Sequence, residues 1–494
     1  MPRFMWFIIA VAGLILGYIF YGKFVEKVFG ADPTRKVPAI TKADGVDYVQ
    51  MPTWKVWLIQ LLNIAGVGPV FGPIMGALYG PTALLWIVLG SIFAGAVHDY
   101  FSGMLSVRYG GANVPEIVGQ NLGKVARGLM AVFAILLLLL VGTVFATAPA
   151  GLLAKLTPDL ATKLLGESPV LGTFGIWLGI IFIYYFVATL VPIDKLIGRI
   201  YPFFGALLII MALGMTITMF TQLGDQFYSW ADWSQNQHPT HDQDGNQLPL
   251  WPLMFITIAC GALSGFHSTQ SPLMARCLRN ERDGRLVFYG GMISEGFIGL
   301  VWATVGMTFY PTVQEFLAAG APANVVYTTS VALMGSVGGV LAILGVIVLP
   351  VTSGDTAFRA ARLTIAELAH YDQTNKIRRL TIAVPVFILG IILSQIDFNI
   401  IWRYFGWSNQ SLAAIMLWAS AAYLYRKGKL HWICTIPAFF ITAASVSFIV
   451  YEPNMGLHMG IPAANVTGFV VAVVILALFL KFGRKPVAGS DTSA

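Results

Sequence analysis

Charge is scarce in this chain: of 494 residues, 30 are lysine or arginine and 23 are aspartate or glutamate, 11% in all. A soluble domain carries about a quarter charged residues to cover its surface, so a soluble globular protein of this length is excluded. Cysteine is rarer still. Cys260, Cys277 and Cys434 show neither paired nor metal-ligand spacing, which excludes a disulfide framework and leaves them as buried thiols. There is no HExxH, no closely spaced acidic set and no paired nucleophile and base, so the chain is not read as an enzyme. No GxxxxGK[ST] phosphate loop occurs either. Energy from ATP and any bound cofactor are thereby set aside, leaving a coupling ion, H+ or Na+.

What the chain has in excess is apolar surface: 57% hydrophobic residues and a mean hydropathy of +0.75. Its partner is a lipid bilayer. The formal charge of +7 could point to nucleic acid, but the basic residues sit in short loops between apolar runs. Membrane orientation explains them, and no nucleic-acid partner is expected. About thirteen runs have the roughly 17–25 residues of a membrane span. They lie near 4–22, 54–79, 82–107, 125–152, 170–190, 200–223, 250–275, 286–310, 327–352, 380–396, 409–425, 432–450 and 463–481. The first is a retained helix rather than a signal peptide, since Gly17–Gly22 offers no cleavage site and Lys23 follows directly.

Lysine and arginine fix the orientation. With the N-terminus outside and the C-terminus in the cytoplasm, 26 of the 30 fall on the inner side. Only Arg3, Lys155, Lys163 and Arg403 are outside. A single missed span would scramble this division.

Two of the apolar runs are broken in the middle. The first reads LLNIAGVGPVFGP, Leu61 to Pro73, and the second ITIACGALSGFHSTQSP, Ile256 to Pro272. A span cannot turn unpaired backbone groups to lipid, so a broken helix survives only where protein encloses it. Paired breaks at matching places in two halves point to a transporter's substrate site. They are the second and seventh spans, five apart, and an odd repeat enters from the opposite face. The expected architecture is all-α: residues 1–53 as a leading helix and cytoplasmic loop, a five-helix repeat over 54–223, an inverted five-helix repeat over 250–425, and two trailing helices with a short tail over 426–494. This resembles the leucine-transporter-type fold of the amino acid–polyamine–organocation superfamily.

The strings LNIAGVGPVFGPIMGA, AGAVHD, FITIACGALSGFHSTQSPLMARC and LPVTSGDTAFRAAR also resemble the carbon starvation protein A family, strongly over roughly residues 50–365. That resemblance implies a bacterial inner-membrane importer of short peptides, or of pyruvate in one branch, with proton coupling for the pyruvate carriers.

Residues at the first break suit a substrate carboxylate. Pro69 after Gly68 fits the start of a new half-helix. That would leave the amides of Gly66, Val67 and Gly68 near a positive dipole end, with Asn63 just before. At the second break the substrate-facing set is Ser264, Gly265, Phe266, His267, Ser268 and Gln270. The plainer reading has these hydroxyls bonding back one turn and His267 serving structure. For ion coupling, NIAGVG and VTSG resemble the sodium site of superfamily members. Backbone carbonyls of Leu62 and Ala65 with the hydroxyls of Thr352 and Ser353 would supply its oxygens. Asp355 would tune that cage or take a proton, unless it sits in a helix-entry turn or pairs with Arg359. His98, Asp99 and Glu295 are further ionisable groups inside spans, functional by default. The plainer reading is an internal pair, Asp99 neutralised by His98 or a nearby arginine and serving packing. Adjacent helical residues point about 100° apart, so His98 and Asp99 are not expected both to face one small pocket. Glu295 has no cation on its own helix face and needs a partner from elsewhere.

The expected function is secondary import of a short peptide or a pyruvate-like carboxylate by alternating access, driven by a proton or sodium gradient. A nutrient receptor or a channel built on the same breaks is the alternative. Unitary currents would mark the channel, and a signalling domain the receptor.

Overall fold

The computed structural model of the protein describes residues 2–45, 48–166, 171–190, 193–232, 236–238, 247–373, 375–396, 398–452 and 456–485. Parts of the expected outer loop between Thr221 and Leu250, most of the C-terminal tail, and the side chains of Lys195 and Arg199 lie outside them.

The main helices are α1 (Met5–Phe29), α2 (Thr53–Ile64), α3 (Gly68–Tyr79), α4 (Thr82–Arg108), α5 (Lys124–Leu156), α6 (Thr173–Leu190) and α7 (Ile193–Gln222). They continue as α8 (Leu250–Thr257), α9 (Gly265–Ala275), α10 (Arg285–Thr308), α11 (Pro322–Ile343) and α12 (Leu349–Leu368). The chain closes with α13 (Lys376–Leu393), α14 (Phe398–Arg426), α15 (Trp432–Tyr451) and α16 (Ile461–Phe482). Among the described residues nine unbroken helices are long and apolar enough to span a bilayer, and the bent pair α2–α3 makes a tenth. The other three expected spans are helical too, but short or polar. The run 250–275 is split into α8 and α9, α13 opens on Lys376, Arg378 and Arg379, and α14 carries Arg403, Ser408, Asn409 and Gln410.

One expected boundary moves. The run 327–352 belongs to a longer helical stretch from Pro322 to Leu368, kinked at Gly335, whose φ of 61° is a left-handed value. The Val351–Gly354 sequence therefore lies inside α12, and its residues Thr352 to Asp355 are buried. The alternative of a helix-entry turn near the cytoplasm is removed.

Helices α5 and α12 pack along one another, as do α14 with α15 and α15 with α16. Helices α3 and α10 form another close pair, and α9 packs on α4. At one end of the molecule Arg108 forks onto the buried Glu281 at 2.7 and 2.9 Å, and the Asp32 N–H donates to the same carboxylate at 2.7 Å. Arg285 pairs with Glu26 at 3.3 Å, while Lys429 donates to the Phe29 carbonyl and Arg426 to Asn121. At the other, Arg3 donates to the Tyr228 carbonyl at 2.7 Å, Lys155 to Asn324 at 3.0 Å, and Arg403 to Glu452 at 2.7 Å. Residues assigned to one side by charge sorting thus meet partners from that same side.

Candidate functional site

The two breaks lie against each other. Helix α2 ends at Ile64, Ala65 leaves helical geometry (φ −88°, ψ 57°), and α3 restarts at Gly68 with Pro69 second and a 51° bend between them. Proline lacks the N–H that a helix interior needs and is tolerated in a first turn. The Gly66 N–H donates to the Ile64 carbonyl at 3.1 Å, so of the three amides expected to be free this one is paired. A Cβ on Gly66 would come within 2.5 Å of the Phe145 ring, and one on Gly68 within 2.5 Å of Cys260 Sγ. On Gly72 it would meet the Thr257 carbonyl at 2.9 Å. Glycine at these places admits α5 and the second break. Asn63, just before the break, is 1% exposed, and neither its Oδ1 nor its Nδ2 has a hydrogen-bond partner among the described residues.

The second break runs from the end of α8 through Gly261, whose φ is +88°, to Gly265. A Cβ on Gly265 would sit 2.2 Å from the Asn409 carbonyl, so α14 closes on α9 there. Asn409 also caps the restart: its Oδ1 accepts the Phe266 N–H at 2.7 Å, and its Nδ2 donates to Ser264 Oγ at 3.1 Å. Sequence reasoning missed Asn409, although Ser408–Gln410 is a polar cluster inside an apolar run. Ser268 and Thr269 bond back to the carbonyls of Gly265 (2.6 Å) and Phe266 (2.7 Å), as the plainer reading expects. Gln270 donates to Thr269 and leaves its Oε1 without a partner among the described residues.

A chain of ionisable side chains crosses the second break. Asp99 offers one carboxylate oxygen to His98 Nδ1 and the other to His267 Nδ1, each at 2.8 Å. His267 Nε2 stands 3.0 Å from Glu295 Oε2, close enough to attract but out of line for a hydrogen bond. Glu295 Oε1 accepts the Gly261 N–H at 3.0 Å. All four side chains are fully buried. The alternative of an internal pair holds, Asp99 with His98, and the second Asp99 oxygen turns to His267 on α9. The partner sought for Glu295 is His267, from the broken helix. Cys260 joins this group, with its Sγ 3.4 Å from Ser264 Oγ and 3.7 Å from Asn409 Nδ2. One ligand atom each from Cys260, His267 and Glu295 falls within 4.8 Å of the others. The seven-residue gap from Cys260 to His267 hid the relation, because it spans the unwound turn.

Of the residues expected to hold a cation, Leu62 and Ser353 meet. Ser353 Oγ donates to the Leu62 carbonyl at 3.3 Å, so α12 does meet the end of α2. The Thr352 hydroxyl bonds to Leu349, one turn back in its own helix, at 2.8 Å. Asp355 is 3.4 Å from Arg359, which also donates to the Ala188 carbonyl at 2.8 Å. The pairing alternative for Asp355 holds, in a buried rather than solvated setting.

Known proteins place this arrangement. The solved structure of Mhp1, a nucleobase-cation-symport-1 family transporter in a closed conformation with bromovinylhydantoin bound, superposes with a TM-score of 0.51. The match covers 89% of this chain and 94% of that one at 13% identity, and it shows the fold, of the leucine-transporter type. A membrane protein of Haemophilus influenzae without assigned function is 47% identical over 64% of this chain and 95% of its own. The peptide transporter CstA of Campylobacter jejuni is 26% identical over 96% of this chain and 83% of its own. The pyruvate/proton symporter BtsT of Escherichia coli is 29% identical over 60% of this chain but only 48% of its own length. The profile of the family described as Carbon starvation protein CstA matches residues 3–179, 170–333 and 312–447. This multi-pass membrane protein therefore belongs to the CstA carbon starvation family.

Proposed function

We propose that the protein is a secondary importer of short peptides or pyruvate-like carboxylates, working by alternating access across the bacterial inner membrane. The observation that carries this is the buried contact between the two breaks, with Gly68 against Cys260 and Gly261 against Pro69 and Pro73. Unwound backbone persists inside a membrane where it lines a binding space. The unpartnered Asn63 amide supports placing substrate there. The 26-to-4 division of basic residues supports a cytoplasmic C-terminus and an external N-terminus.

A cation gradient supplies the energy, with the proton ahead of sodium because one relative is named a pyruvate/proton symporter. A sodium reading is favoured by one observation, the Ser353 hydroxyl on the Leu62 carbonyl. The test is uptake into proteoliposomes of labelled pyruvate and of labelled di- and tripeptides under separate proton and sodium gradients. Concentrative uptake of one class, abolished by collapsing the proton gradient, is expected. Large unitary currents without concentrative uptake would give the channel reading instead.

A further inference from the structure

We propose that Cys260, His267 and Glu295 form a binding site for a zinc-class divalent cation at the second break. This inference is independent of the transport reading, because it is tested on the purified protein without uptake. The donor set is a sulfur, an imidazole nitrogen and a carboxylate oxygen, each fully or almost fully buried. Zinc accepts all three donor types, whereas hard cations such as magnesium want oxygen alone. A tetrahedral ion with bonds of about 2.0–2.3 Å places neighbouring donors about 3.5 Å apart. The three donors lie within 4.8 Å of one another, so a shift of about 1 Å brings all three to bonding distance and leaves the fourth position open.

Two further observations point to a ligand there. His267 Nε2 and Glu295 Oε2 are buried and face each other at 3.0 Å, out of line for a hydrogen bond. An ion seated between them would bond to both. Each donor group is also held from its far side. His267 Nδ1 is 2.8 Å from Asp99 Oδ2, the carboxylate–histidine–metal relation that fixes a ring's tautomer and orientation. Glu295 Oε1 is held by the Gly261 N–H at 3.0 Å, and the Asn409 Nδ2 donor stands 3.7 Å from Cys260 Sγ.

Charge fits as well. On binding, the Cys260 thiol proton and the proton held between His267 Nε2 and Glu295 leave to solvent, and thiolate plus carboxylate offset the two charges of the ion. Cys260 lies in the unwound segment, His267 in the first turn of α9, and Glu295 on α10. A bound ion therefore ties the unwound segment and the start of α9 to α10.

The experiment titrates purified full-length protein in detergent with Co2+ and follows the near-ultraviolet thiolate-to-cobalt band. One ion per chain, displaced by Zn2+, is expected. Cys260→Ser should abolish the band, while Cys277→Ser and Cys434→Ser keep it. Glu295→Gln, which leaves the thiol in place, should weaken binding at least about tenfold, and Asp99→Asn by about 10–100-fold as an orienting residue. Zn2+ should raise the melting temperature of the unsubstituted protein and not of Cys260→Ser. The proposal is overturned by the absence of a thiolate band, by a band that survives Cys260→Ser, or by unchanged affinity in Glu295→Gln. That last variant decides the matter if Cys260→Ser does not fold.

Discussion

The two breaks occupy matching places in the chain and are built from opposite materials. The first, Asn63 to Gly72, holds no ionisable side chain, and its three glycines admit Phe145, Cys260 and the Thr257 carbonyl. The second, Cys260 to Gln270, is crossed by His98, Asp99, His267 and Glu295 in one buried chain. Pseudo-symmetry supplies two unwound segments, and side chains then divide the work between them. One segment provides close backbone approach and a single unpartnered amide. The other concentrates charge that the membrane would otherwise forbid.

The largest expected effect breaks the charged side of this contrast. Asp99→Ala strips the shared carboxylate from two buried imidazoles and leaves Glu295 as the nearest counter-charge. Removing one partner of a buried ionic pair costs about 3–5 kcal/mol. Thermal unfolding in detergent should fall markedly and uptake by at least about a hundredfold, in keeping with that cost. Normal stability and uptake in this variant would mean that the chain of contacts carries neither fold nor function.

Next in size is the packed side. Gly66→Ala pushes a methyl group to 2.5 Å from the Phe145 ring, and overpacking of that kind costs about 1–3 kcal/mol. The double variant Gly66→Ala/Phe145→Leu should recover most of the loss in melting temperature. Recovery of stability without recovery of uptake would show that Gly66 touches substrate as well as Phe145, which sharpens the role of the first break.

Much of this contrast was legible in the residues. The breaks, their spacing of five spans and the charge sorting follow from rules that act on every residue in a run, since a bilayer penalises each unpaired backbone group and each charge in the same way. Contacts between elements were less legible. Asn409, more than 140 residues from Ser264, reveals its capping role only when α14 is laid against α9. Cys260 is the buried free thiol that its spacing suggests, but its nearness to His267 and Glu295 is invisible in the sequence because the unwound turn brings them together. The His98–Asp99 pair was within the sequence alternatives, but that the second carboxylate oxygen reaches His267 on another helix was not, because contacts between helices leave no mark on local spacing. Gly66 and Gly68 suit either close packing or substrate by sequence, and only the fold shows that Phe145 and Cys260 come close to them.

A third, smaller effect concerns Asn63. Its amide has no hydrogen-bond partner among the described residues, so Asn63→Ala removes no bond from the fold and should leave the melting temperature unchanged or slightly raised. If the amide meets substrate, KM should rise about fivefold to tenfold, the equivalent of one hydrogen bond, with kcat little altered. A clear loss of stability with KM unchanged would return Asn63 to a packing role and leave the first break with no polar function.

The smallest effect tests whether the first break has a charge of its own. Ser353 makes one 3.3 Å bond to the Leu62 carbonyl, at the edge of the geometric range, between α12 and α2. Such a bond contributes about 0.5–1.5 kcal/mol net, so Ser353→Ala should lower the melting temperature slightly and leave the pH dependence of uptake in place. With protons driving transport, the variant should slow uptake by less than about threefold, within the range that one weak bond allows. With sodium seated on the Leu62 and Ala65 carbonyls, losing a hydroxyl oxygen should raise the sodium concentration for half-maximal uptake several-fold. That rise would turn the comparison round. The first break would then gather a cation on backbone oxygens, and the buried carboxylates of the second would set the geometry of α9 and α10 rather than the driving force.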